Sequence, residues 1–106
     1  EKVIPTEIVA QCLNTESGPT HTKYFTSWQV FSAKNEPIPD ITVRIFDSSE
    51  PKGFKDVQTN ANGIADYTTI TWSREKRRVI EGQVLNYPKI QDFMSLYAPT
   101  KEASHV

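Results

Sequence analysis

One cysteine, Cys12, stands among the 106 residues, so no intrachain disulfide can form. A chain this long can bury a single core without such staples, so their absence leaves the compartment open. No run of about 18 apolar residues occurs, and none of the segments reads as a membrane-spanning helix. Asn14, Asn60, Asn62 and Asn86 all lack Ser or Thr two positions on, which removes N-glycosylation sequons. Neither sign of charge dominates: the net charge is -1 with charged residues at 24%, which argues against nucleic acid as a partner. Imidazoles are scarce. His21 and His105 lie far apart with no Ser, Cys or Asp in a recognisable motif, and with one cysteine they give no zinc-ligand spacing. The chain begins with Glu1 and shows no signal peptide, as expected of an excised or processed piece.

What is present is extended structure. Prolines, asparagines, glycines and serines interrupt the chain at short intervals, with β-branched and aromatic runs between them. These runs predict strands at Glu7–Leu13, Lys23–Ala33, Ile41–Ile45, Phe54–Thr59, Ile64–Trp72, Val79–Leu85 and Phe93–Tyr97, with an eighth near Ile4. Lys23–Ala33 carries aromatics on both faces and reads as a central strand, whereas Phe54–Thr59 reads as a short edge. No segment sustains an apolar period of 3.6. Cys12, within an apolar stretch, is expected to be a buried packing residue, the alternative being a reactive thiol.

Two connections are distinctive. In Lys34–Asp40, Pro37 and Pro39 fix φ and remove two donors. In Thr59–Ala65, Asn62-Gly63 predicts a hairpin turn with positive φ at the glycine. Together, AKNEPIPDITVRIF and TNANGIA resemble the bacterial immunoglobulin-like domains of invasin and intimin type adhesins, group 1. Asn35, Pro37, Ile38, Pro39, Ile41, Val43 and Phe46 match the first motif; Thr59, Asn62, Gly63 and Ala65 match the second. A similar grammar occurs in transthyretin-like and carboxypeptidase regulatory sandwiches. The chain departs from the adhesin pattern at Asn60, where Asp is usual, and at Asp40, where Gly is usual. Its last strand echoes the pattern only loosely, over Ile80–Leu85. The resemblance implies an all-β, immunoglobulin-like antiparallel sandwich of seven or eight strands over residues 1–99, with 100–106 as a tail or linker.

Candidate site residues are few. The basic segment Trp72, Arg74, Lys76, Arg77 and Arg78 is the candidate anion or partner contact. Its alternative is a solvated hairpin tip, at which reversing Arg77 and Arg78 would cost within about 0.5 kcal/mol. Asp56, Asn60, Asn62 and Asp66 offer oxygen donors, but too few anions for calcium. Trp28 is the better core aromatic. Trp72 and Tyr87, with Tyr24, Tyr67 and Tyr97, supply the candidates for a carbohydrate-stacking face.

The resemblance implies a non-catalytic extracellular or cell-surface module of a prokaryotic protein. It would be one unit of a larger chain, acting as spacer or adhesive element, with protein or carbohydrate partners and no cofactor, metal, nucleic acid or membrane insertion. The alternatives are a carbohydrate-binding accessory module attached to an enzyme and a domain that assembles through an edge strand.

Overall fold

The computed structural model describes residues 3–75 and 77–97. Seven strands follow in order: β1 (Pro5–Ser17), β2 (His21–Ser32), β3 (Thr42–Phe46), β4 (Phe54–Gln58), β5 (Ile64–Trp72), β6 (Arg77–Val84) and β7 (Tyr87–Tyr97). They form two antiparallel sheets, β1-β2-β5 and β4-β3-β6-β7, and no helix occurs among the described residues. This is the all-β antiparallel sandwich expected, with seven strands. In a constant-type domain the fourth strand lies beside the fifth; here β4 has crossed to pair with β3. Among the described residues no separate eighth strand forms near Ile4; β1 itself starts at Pro5. β1 and β7 are longer than expected, and Tyr87-Pro88, read as loop, opens β7.

Period-two alternation builds the core. Ile8 of β1, Trp28 and Val30 of β2, Val43 and Ile45 of β3, Ala65 and Tyr67 of β5, Ile80 and Val84 of β6 and Leu96 of β7 meet between the sheets. Each Val, Ile or Leu among them stabilises by about 1.5–3 kcal/mol when fully buried. Trp28 is fully buried, and its indole N–H donates to the Thr26 hydroxyl at 3.0 Å. That hydroxyl donates in turn to the Tyr67 carbonyl at 2.6 Å, tying β2 to β5.

The Asn-Gly connection is a turn but not a hairpin. Asn60 Oδ1 accepts the Asn62 and Ile64 amides at 2.8 and 3.1 Å, and Gly63 has φ 74°. The strands it joins nevertheless lie in different sheets, because β3 has taken β4 and β2 has taken β5. An Asn-Gly signal specifies local chain reversal; pairing is decided by which partner buries each strand's apolar face. The turn docks on the proline connection. Thr59 Oγ1 donates to the Ile38 carbonyl at 2.8 Å and accepts the Ile41 amide at 2.9 Å. A Cβ at Gly63 would lie 2.7 Å from Pro37 Cβ and 2.9 Å from the Ile38 nitrogen. Asp40, where the resembled motif has Gly, also holds a positive φ of 60°. Gly63→Val is therefore expected to lose at least about 2 kcal/mol, from strain and from overlap with backbone. A urea midpoint equal to the parent's would contradict this docking.

Cys12 is exposed, contrary to expectation. It lies on an edge strand beside a bulge between Cys12 and Asn14, where burial stops, and every β1 residue from Gln11 onward is exposed.

β1 and β7 face one another along one flank and run in the same direction. Pro5 pairs with Ser32 at one end of the β1–β2 ladder, and the Ala10 amide donates to Asp92 Oδ2 midway at 2.9 Å. At the far end, beside Thr15, the Tyr24 hydroxyl donates to the Tyr97 carbonyl at 2.8 Å and accepts the Tyr97 amide at 2.9 Å. The described strands thus begin and finish at opposite ends of the β1–β2 ladder.

Candidate functional site

The basic segment is also a crossing between sheets rather than a hairpin tip, since β5 and β6 belong to different sheets. This places its residues in different environments. Trp72 is 42% exposed, tilted against His21 at 5.7 Å between ring centroids, with the Arg74 guanidinium 5.9 Å from its own ring. Arg77 is exposed and donates to Ser95 Oγ at 3.1 Å. Lys76 lies outside the described residues, as do His105 and the expected tail 100–106.

Arg78 corrects the solvated-tip expectation, because its side chain is only 8% exposed. It alternates with Ile80, Gly82 and Val84 on the inner face of β6 and points between the sheets. One terminal nitrogen, Nη2, donates to Thr69 Oγ1 and to the Ile70 carbonyl, each at 3.0 Å. The other, Nη1, meets Glu75 Oε2 at 2.7 Å. Nε lies 2.9 Å from Asp47 Oδ1, close enough for ion pairing but not aligned for a hydrogen bond.

Asp47 opens the turn-forming sequence DSSEPK, yet its side chain is fully buried. It continues the inner face of Val43 and Ile45 by one more alternation. Its Oδ2 accepts the Tyr67 hydroxyl at 2.6 Å and the Thr69 hydroxyl at 2.7 Å, while Oδ1 accepts the Ser49 amide at 3.0 Å. Glu50 Oε2 stands 2.8 Å from the same Tyr67 hydroxyl, whose single proton serves one carboxylate at a time. Burial pushes the Asp47 carboxyl up, but the bonds from Tyr67, Ser49 and Thr69, together with the Arg78 charge, outweigh it and hold it below the ordinary aspartate range. Burial, then the two carboxylates, drive the Tyr67 phenol far upward. Glu75 is held low chiefly by the Trp72 amide, which donates to Oε1 at 2.8 Å, against a smaller opposing effect of burial, with Arg78 assisting.

The sign of the pH dependence follows. A carboxyl whose folded value is depressed contributes stability above its unfolded value, about 4, and that contribution fades as pH falls through the folded value. A phenol raised on folding contributes below about pH 10, and this is lost as pH rises beyond it. The melting temperature is expected to fall below about pH 4, and Asp47→Asn to flatten that acid limb in a calorimetric series. An acid limb unchanged in the variant would show that other carboxylates set it.

This cluster links β3, β5 and β6, and its groups turn onto one another; chemically it is a clamp between sheets. The oxygen-donor set Asp56, Asn60, Asn62 and Asp66 is engaged in the same structural way. Asp56 is held by Arg44 through two bonds of 2.8 and 3.0 Å, which keep its carboxyl low, and Asn60 is committed to its own backbone. Asp66 lies in β5, with its side chain exposed. Among the described residues no three metal-binding side chains of His, Cys, Asp or Glu come together.

Of the proposed aromatics, Trp28 and Tyr67 are core, Tyr24 and Tyr87 are half-buried, and Trp72 and Tyr97 are exposed. The structure adds a row missed in the sequence. Phe54, Phe46, Glu81 and Phe93 stand side by side across β4, β3, β6 and β7 on the outer face. Phe46 and Phe54 rings are 6.1 Å apart, Arg44 covers Phe54 at 4.1 Å, and Phe93, Val79 and Tyr97 extend the exposed surface. Only cross-strand register assembles this row.

No protein-family model matches the chain, and no curated protein or solved structure matches it either.

Proposed function

We propose that this domain is a stiff, non-catalytic, in-line module of a prokaryotic surface or secreted protein, serving as a spacer that carries adhesive contacts. The observation behind this reading is the placement of Pro5 and Tyr97 at opposite ends of the β1–β2 ladder, on strands running the same way. Tension applied through those ends would shear the long β1–β2 ladder, loading many hydrogen bonds together. The resemblance of the proline and Asn-Gly connections to adhesin domains supports the same reading, as does a polar cluster engaged in holding the sheets.

Force spectroscopy tests it. Pulling through residues 5 and 97 is expected to need a clearly higher unfolding force than pulling through residues 5 and 32, which would unzip the same ladder. Equal forces in the two geometries would refute the spacer role.

A second reading, a carbohydrate-binding face, is favoured by the Phe46–Phe54–Phe93 row with Tyr97. Phe93→Ala should then weaken retention on a polysaccharide gel about threefold or more.

A further inference from the structure

We propose that the outer face of β6 and β7 docks on the same face of a second copy of this chain, about a two-fold axis crossing the strands at Val79 and Ser95. The ladder sets out the pattern. Arg77, Val79 and Glu81 alternate outward on β6, and register places Tyr97, Ser95 and Phe93 beside them, in that order, on β7. Val79, Phe93 and Tyr97 are 45, 53 and 55% exposed. An apolar patch therefore lies open between a cation at one end and a carboxylate at the other.

Charge selects the occupant. Among the described residues neither Arg77 nor Glu81 belongs to an ion pair. Arg77 donates to the neutral Ser95 hydroxyl at 3.1 Å, and Glu81 accepts from the Gln83 side-chain amide at 3.3 Å. Arg44 of the neighbouring strand β3 is turned to Asp56, which binds it through two bonds, so it leaves Glu81 uncompensated. Lys89 lies beyond Gln91, past the end of the patch.

A two-fold axis lying in the face, perpendicular to the strands, sets each residue over the one equally far beyond the axis. Arg77 then meets the second copy's Glu81, and the reverse contact repeats it. Phe93 meets Tyr97 in the same reciprocal way, while Val79 and Ser95 meet themselves. A patch is self-complementary only when its unlike charges flank the axis equally, as an isologous interface requires. With the strands parallel instead, Arg77 would face Arg77 and Glu81 would face Glu81, which is unfavourable.

The apolar side chains here fall well short of the roughly 20–30 residues a side that make a stable complex. Pairing is therefore weak between free domains and gains strength where many copies are displayed together. It also reverses one copy relative to the other. Resting on the in-line reading proposed above, that reversal joins chains arriving from opposite directions; the pairing itself is measured in solution, independently of force.

The test uses the whole chain, isotope-labelled, with reductant present so that exposed Cys12 cannot cross-link copies. Amide shifts at Val79, Glu81, Phe93 and Ser95 are expected to move between about 10 μM and about 1 mM, with sedimentation showing a rising mass. Arg77→Glu and Glu81→Arg should each weaken association about tenfold, because each turns two attractions into repulsions. An equimolar mixture of the two variants should associate as the parent does, since unlike charges again face one another. So should the double variant. A mass unchanged at the highest concentration would overturn the proposal. A mixture no tighter than either variant alone, or shifts confined to other faces, would do the same. Shifts at these residues on adding a polysaccharide to a chain that stays monomeric would also overturn it, the occupant then being a glycan.

Discussion

Arg78→Ala is expected to cost about 3–5 kcal/mol, a large part of the 5–15 kcal/mol that holds a domain together. The magnitude comes from what is left behind. Asp47, with a fully buried side chain, would keep its hydrogen bonds but lose the only cation within reach among the described residues. Thr69, the Ile70 carbonyl and Glu75 would each lose a charged donor. Arg77→Glu, one residue away on the outer face, should change stability by no more than about 0.5 kcal/mol. Urea unfolding of the two variants side by side measures this contrast. A loss below about 1 kcal/mol for Arg78→Ala would mean that water replaces the guanidinium and that the clamp is dispensable. Replacing Asp47 and Arg78 together with apolar residues of similar volume should recover much of the loss, because burying the pair carries its own desolvation cost.

Gly82→Val should be comparably severe, about 3–5 kcal/mol. Its Cα lies beneath the Trp28 indole, and a Cβ there would stand 2.2 Å from Cε3 and 2.5 Å from Cζ3. The indole has no room to retreat. It is wholly buried, tethered through its N–H to Thr26, and packed among core side chains of both sheets. Backbone conformation is not the issue here, since Gly82 has no positive φ; the constraint is close approach of a ring to a strand. Combining Gly82→Ala with Trp28→Phe should therefore cost less than the sum of the two single changes. Strict additivity in that double-mutant cycle would mean the contact is not the cause.

These two residues also show where sequence reading stopped. Alternation in Ile41–Ile45 and Ile64–Trp72 was enough to place β3 and β5, and the two-faced composition of Lys23–Ala33 marked β2 as central. Parity carried one step further would have exposed the clamp. Val43, Ile45 and Asp47 share a face, as do Ala65, Tyr67 and Thr69, and as do Arg78 and Ile80. The obstacle was the habit of assigning charged residues at strand ends to solvent. The Asn-Gly turn and the basic segment resemble hairpin connections for a different reason. A reversal is written in a few local residues, but whether the flanking strands pair depends on partners far away in the chain. Gly82 beneath Trp28 and the Phe46–Phe54–Phe93 row are likewise products of register, which no window of neighbouring residues contains.

The crossings have a kinetic consequence. Because β5 returns to β2 rather than to β4, the contact that ties Thr26 to Tyr67 spans 41 residues. The entropy of closing so long a loop is lost before the ladder repays it, so folding should take milliseconds to seconds rather than microseconds. During that interval β2 waits with one side unsatisfied, and a nascent chain would be most prone to clump before β5 arrives.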